Sequence, residues 1–184
     1  MIYLIVALES ELPKNIYLGN NIQIVYTGVG KINASYMTMK VLQNNNVEKI
    51  VNYGTVGAIN NNLSNLVIPD IIIQRDMNAE PQAKRSITPF ENSSFCGDIH
   101  LNTDTKVVLG TGDSFVVQHD PWFDEKKIDI VDMEAYAIAK ICKLEKVPFE
   151  CYKYVSDFAD DSANETWNKN VSKGYEMFLD TFLK

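Results

Sequence analysis

Apolar positions along the chain follow two periods that take turns. Runs rich in Ile, Val, Leu and Tyr at 2–8, 22–27, 47–53, 66–74, 105–110, 128–131 and 149–156 have the length and β-branched content of strands. Between the second and third runs, Ala34, Met37, Thr38, Val41 and Leu42 recur at helical spacing, and Met133, Ala137, Ile141 and Leu144 form a second helical stripe. Trp167, Val171, Phe178 and Phe182 repeat the spacing in the last segment, and these Met and aromatic stripes read as core packing rather than cofactor contacts. Strands alternating with helices predict an α/β fold: a central mixed, largely parallel twisted sheet flanked by helices. The stretch 75–104 has no clear period and carries Pro81, Pro89 and a turn-rich run at 92–97, which predicts a substrate lid or a subunit contact.

Length adds that all of this belongs to one unit. A chain of 184 residues buries one sizeable core, so 1–184 is expected to be a single domain. The apolar start at 1–8 runs at once into Glu9 and Glu11, well short of the roughly 20 residues that span a bilayer, and has no basic flank. It therefore reads as a buried first strand, and no membrane association is expected. A net charge of −7, with Arg75 and Arg85 the only arginines, argues against nucleic acid as a partner. Cys96, Cys142 and Cys151 are widely spaced and outside any CxxC pattern, which points to a reducing cytoplasm and neither a disulfide framework nor a zinc site. His100 and His119 stand alone and read as surface or structural residues. No metal and no organic cofactor is expected.

The conspicuous polar and glycine-bearing segments fall just after the predicted strands: Glu9 and Glu11, then 28–31, 54–57, 110–114, 132–134 and 157–161. Ligands of open parallel sheets bind beyond the carboxyl ends of the strands, so these segments are expected to converge on one face. The glycines at 28 and 30 lack the rest of a dinucleotide fingerprint. In VDMEAYAIAKIC, Glu134 is expected in the first turn of a helix, where the dipole favours an anion by roughly 0.3–1 kcal/mol. Such a carboxylate stays ionised and accepts hydrogen bonds from a vicinal diol, with Asp132 as the N-cap.

Taken together, ALESEL (7–12), TGVGKINAS (27–35), VNYGTVGAIN (51–60), GTGDSFV (110–116), VDMEAYAIAKIC (131–142) and VSDFADDSA (155–163) resemble the nucleoside phosphorylase and nucleosidase superfamily. The resemblance is strongest to its methylthioadenosine/S-adenosylhomocysteine nucleosidase branch. It implies a nucleoside phosphorylase-like fold, a small-molecule nucleoside as ligand, and a homodimer with the 75–95 segment, including Phe90 and Phe95, near the neighbour's site. It also implies roles. Asp157 would protonate N7 of the purine and Glu11 would activate water. Glu134 would hold the ribose hydroxyls, with Met133 under the sugar. Thr55, Val56 and Gly57 would line the pocket, and Phe115 and Val116 would lie against the base. Lys31 also fits the nucleosidase pattern.

Two features depart from or refine that pattern. Tyr53 stands where the family carries a smaller residue, which predicts a crowded pocket, and 75–91 matches poorly, leaving the base and the 5′ group open. Phosphorylases of the superfamily carry a Gly-Asp-x-x-Arg segment and further arginines for phosphate. Here Glu9 and Glu11 occupy the corresponding stretch and would repel a dianion. Hydrolysis is therefore the leading expectation, phosphorolysis the alternative, and a catalytically silent nucleoside-binding protein the third.

Overall fold

The computed structural model describes residues 1–44, 46–92, 94–95 and 97–184, so Cys96 lies outside the described residues. In chain order the elements are β1 (Ile2–Val6), β2 (Ile22–Tyr26), α1 (Lys31–Asn44), β3 (Lys49–Ala58), β4 (Leu66–Val67), β5 (Ile71–Gln74) and β6 (Ile99–His100). They continue with β7 (Val108–Thr111), α2 (Pro121–Lys126), β8 (Ile130–Asp132), α3 (Ala135–Glu145), β9 (Phe149–Asp157), α4 (Ala163–Asn170) and α5 (Tyr175–Phe182). The described strands make one sheet ordered β2-β1-β3-β8-β7-β5-β6, with β9 against β3 and β4 against β9. Pairs β1–β2, β1–β3, β3–β9, β5–β7 and β7–β8 are parallel, while β3–β8, β4–β9 and β5–β6 are antiparallel. The sheet is thus mixed and largely parallel.

Side-chain alternation along β1 explains the layers. Tyr3 and Ile5 face a cluster with Ala34 and Val41 of α1 and Ile138 and Cys142 of α3. Leu4 and Val6 point the other way, to Leu12, Tyr53 and Phe178 of α5. Both faces of the sheet are covered, which is why β1 reads as an unbroken apolar run. Helix α3 buries Ala135, Tyr136, Ile138, Ala139 and Cys142, and Leu144 of the expected stripe is exposed instead. The reason is that α3 packs on the sheet through two clusters and beside α1 in one of them, so its burial is wider than one stripe.

Several boundaries differ from expectation for identifiable reasons. Strand β3 does not end at Tyr53: it runs on through Gly54 and Gly57 because β9 pairs it from Ile50 to Gly57 and β8 takes up its far end. The predicted run 66–74 is two strands. Pro69 and Asp70 separate β4, which pairs with β9, from β5, which pairs with β7. Helix α2 and strand β6 were not expected. The signal for α2 was present in Asp120-Pro121, since Asp120 caps the Trp122 N–H at 3.0 Å and Pro121 opens the helix. The C-terminal helical segment is two helices, separated by a turn at 171–174.

Tyr53 does not crowd the candidate pocket. Its ring lies in the core with its centroid 4.3 Å from that of Phe178 at 17°. Phe178 also meets Tyr152 at 5.4 Å and Phe182 at 5.3 Å, so this fully buried ring fastens α5 to β3 and β9. Phe178→Ala is expected to cost about 3–5 kcal/mol of unfolding free energy, read as a lower urea midpoint at unchanged m-value.

Candidate active site

A cavity of ≈ 230 Å³ opens where β1, β3, β8 and β9 end, and Glu11, Thr55, Val56, Gly57, Phe115, Val116, Met133, Glu134 and Asp157 all line it. Every residue given a role by resemblance is therefore brought to one place. Glu9 is not: it is exposed and paired with Lys14. His100 is exposed on β6, and His119 pairs with Asp124 at 2.9 Å, away from the cavity. Among the described residues, no group of three or more His, Cys, Asp and Glu side chains is arranged to hold a metal ion.

Glu11 sits in the turn after β1 and is only 4% exposed. Its Oε2 accepts the Leu8 N–H at 3.1 Å, while Oε1 accepts the Thr55 N–H and the Thr55 hydroxyl, both at 2.7 Å. Three donors replace the water the carboxylate loses on burial, and one lone pair of Oε2 is left for the cavity. The Thr55 hydroxyl in turn accepts the indole N–H of Trp167 at 3.0 Å.

Asp157 owes its direction to a local irregularity. The parallel register of β3 and β9 passes from Val56 opposite Val155 to Gly57 opposite Asp157, so Ser156 is an extra residue. Such a bulge re-aims the following side chain. Gly57 makes room for it, since a Cβ there would lie 2.8 Å from Asp157 Oδ1 and 3.0 Å from the Ala159 Cβ. The Ala159 N–H donates to Oδ1 at 3.0 Å. Ser156 Oγ lies 2.8 Å from Oδ2 and 3.2 Å from the Val56 carbonyl. Its one proton serves the ionised carboxylate and can turn to the carbonyl when Asp157 is protonated. Burial, with the charge of Asp160, raises the Asp157 carboxyl above its ordinary value despite these donors.

Glu134 precedes α3 rather than lying in its first turn, and its Oε1 accepts the Gly30 N–H at 2.8 Å. Gly30 holds φ = +96°, a conformation that glycine adopts without strain. Asp132 is in β8, yet its Oδ2 accepts the Ala135 N–H at 2.9 Å and so performs the expected capping. It also pairs at 2.8 Å with Lys153 Nζ, both side chains being 1% exposed. Burial lowers the Lys153 ammonium, but Asp132, Cys151 and Glu134 more than offset this and raise it above its ordinary value. Because Lys153 is committed to Asp132, Glu134 is not fully compensated. Burial first, then the Asp132 charge, push it up to about 8, against the opposing effects of Lys153 and the Gly30 N–H. Burial therefore works against the expected ionised state of Glu134, and the Gly30 N–H and Lys153 work for it. In its neutral form it can accept from one hydroxyl of a diol and donate to the other.

Four contributors escaped the sequence reading. Arg75 lines the cavity, and its guanidinium donates to Ser114 Oγ, the Gly112 carbonyl and the Ser114 carbonyl, bracing the loop that carries Phe115 and Val116. Arg85 pairs with Asp120 at 2.7 Å, donates to the Arg75 carbonyl and stacks 4.2 Å over Trp122. Lys153 lies within the predicted strand run 149–156 and has no role in the sequence reading. Trp167, expected in the core, stands in the cavity wall beside Asn164. Of the stretch 75–104, only Arg75 lines the cavity among the described residues. Arg85 is tied to the start of α2, and Glu91 and Gly97 are tied to α3, through Lys140 at 2.6 Å and the Tyr136 hydroxyl. None of the other described residues of the stretch lines the cavity as a lid. Lys31 pairs with Asp76 at 2.6 Å beside the same loop.

The sequence model of the Phosphorylase superfamily matches residues 14–182. The chain is 28% identical to the 5′-methylthioadenosine/S-adenosylhomocysteine nucleosidase of Staphylococcus epidermidis, over 85% of this chain and 79% of that one. Identity to the nucleosidase of the same name from Staphylococcus haemolyticus is 29%, over 90% and 83%. Among solved structures, futalosine hydrolase of Helicobacter pylori superposes with a TM-score of 0.85 at 21% identity, covering 99% of this chain and 96% of that one. The S-adenosylhomocysteine nucleosidase of Streptococcus pyogenes, in complex with 5-methylthiotubericidin, gives 0.81 at 23% identity, covering 99% and 95%. These superpositions share the fold described above.

The raised Glu134 carboxyl has a consequence for stability. Between its ordinary value of 4.5 and about 8 the folded state binds the proton that the unfolded state has lost, so stability falls as pH rises through that window. Thermal melts of the unliganded protein from pH 5 to 9 are expected to show this decline. Glu134→Gln is expected to flatten it in part, the remainder coming from Asp157, which shifts in the same direction.

Proposed function

The chain belongs to the Phosphorylase superfamily, and on that premise we propose that it hydrolyses the N-glycosidic bond of a purine nucleoside of the methylthioadenosine/S-adenosylhomocysteine kind. The observation that carries this reading is the convergence of Glu11, Glu134 and Asp157 on one cavity, each in a different environment. The nucleosidase relatives named above support the substrate class.

In this scheme Asp157, its carboxyl raised, gives a proton to N7, and the electron pair of the C1′–N9 bond leaves with the base. Positive charge builds on the sugar ring, and the surrounding carboxylates stabilise it more than they stabilise the ground state. Glu11, saturated with donors and still open at Oε2, takes a proton from the water that attacks C1′. Glu134 engages the ribose hydroxyls, Met133 packs under the sugar, and Thr55, Val56 and Gly57 form the wall. Phe115 and Val116 lie against the base on the loop braced by Arg75. No cofactor enters the scheme.

Water is favoured over phosphate as the nucleophile because both arginines are already engaged. Arg75 is committed to the 112–114 backbone and Ser114, and Arg85 to Asp120, the Arg75 carbonyl and Trp122. A homodimer is the proposed assembly. It is supported by exposed Ile32 and Tyr36, one turn apart on α1, which continue from Val29 at the cavity, and by Phe90, which is 95% exposed. The buried free thiols of Cys142 and Cys151 support a reducing compartment, the cytoplasm.

Incubation with methylthioadenosine, adenosine and inosine, with and without phosphate, is expected to release free base in both conditions, fastest from methylthioadenosine. Asp157→Asn is expected to lower the rate by about 10²–10⁴-fold while the variant still melts cooperatively at pH 8, no lower than the wild type. Base release that requires phosphate would falsify hydrolysis, and near-normal turnover by Asp157→Asn would remove its role as the acid.

A further inference from the structure

The indole of Trp167 does more than line the cavity. An indole N–H is a donor and never an acceptor, so the 3.0 Å contact to Thr55 Oγ1 has only one possible direction. That contact occupies a lone pair of the Thr55 hydroxyl and leaves its proton for the acceptor on the other side, Glu11 Oε1 at 2.7 Å. The chain N–H to O–H to carboxylate is therefore polarised end to end, and each bond strengthens the next. Without the indole, the hydroxyl has no fixed donor behind it and its rotor is freer.

The same helix is pinned again within one turn of Trp167, at its last residue. Asn170 Nδ2 donates to the Ser156 carbonyl at 2.8 Å, at the bulge that directs Asp157. Helix α4 thus stands at a fixed distance from β9 while Trp167 reaches across to β3.

We propose that Trp167 is a positioning residue: through the Thr55 hydroxyl it sets which lone pair of Glu11 faces the attacking water. The proposal rests on the assignment of Glu11 as the base. Trp167 acts at one remove, so its loss lowers kcat while leaving KM close to that of the wild type.

The test is a double-mutant cycle with a spectroscopic readout that does not depend on activity. The protein has two tryptophans, so its ¹⁵N–¹H spectrum carries two indole resonances, and Trp167→Phe identifies the second by its disappearance. Thr55→Val is expected to move the Trp167 indole proton upfield and leave that of Trp122 in place, while Thr55→Ser, which keeps the hydroxyl, leaves both. Trp167→Phe is expected to lower kcat about tenfold in the wild type and in Thr55→Ser, and to cost nothing further in Thr55→Val. A Trp167 resonance indifferent to Thr55→Val, or an equal loss of kcat in all three backgrounds, overturns the proposal and leaves Trp167 a packing residue. Absence of base release from the wild type, with the resonance moving as expected, overturns instead the functional reading and with it the catalytic part of the proposal.

Discussion

Asp132 and Lys153 form the contact on which the site depends, a carboxylate and an ammonium 2.8 Å apart and all but sealed from water. Asp132 also accepts the Thr111 hydroxyl at 2.5 Å and the Ala135 N–H at 2.9 Å, so one carboxylate joins β7, β8, β9 and the start of α3. Buried pairs of this kind gain little net stability over an apolar isostere, but leaving one member without the other costs about 3–5 kcal/mol. What the pair contributes here is placement. It brings the antiparallel strand β8 and the parallel strand β9 to the same end of β3, where Glu134 and Asp157 emerge.

The three carboxylates that line the cavity differ in their surroundings. Glu11 has three donors, whereas Glu134 has one donor, deep burial and a like-charged neighbour in Asp132. Asp157 lies between these extremes, buried but held by two donors. Neighbouring carboxylates with different environments are what separate acid and base roles at one pH.

Much of this arrangement was legible in the chain because it follows from local rules. The alternation of strand and helix periods placed the layers, and the carboxylates after strands 1 and 9 and before α3 were found from the position of polar residues at strand ends. What was not legible depended on partners distant in sequence. Gly54 and Gly57 read as a segment beyond the end of a strand until β8 and β9 are seen to pair along it. Trp167 read as core because its helical spacing matches Phe178, and only the approach of Thr55 from 112 residues away reveals its second use. Lys153 and Arg75 gave no signal at all, since a buried charge is recognisable only by the groups that surround it. Glu134, expected in the first turn of α3, lies just before it, and the burial that raises its carboxyl comes from groups that the local sequence does not show.

The bulge at Ser156 sets a limit on change in this part of the chain. Side chains alternate faces along a strand, so strict one-to-one pairing, with Ser156 against Gly57, would put Asp157 on the face of Val155, whereas the extra residue turns it to the face of Gly57 and the cavity. Regular pairing would leave the fold little changed and take the proposed acid out of the cavity. The one-residue offset between β3 and β9 is therefore as much a part of the candidate site as the side chains it directs.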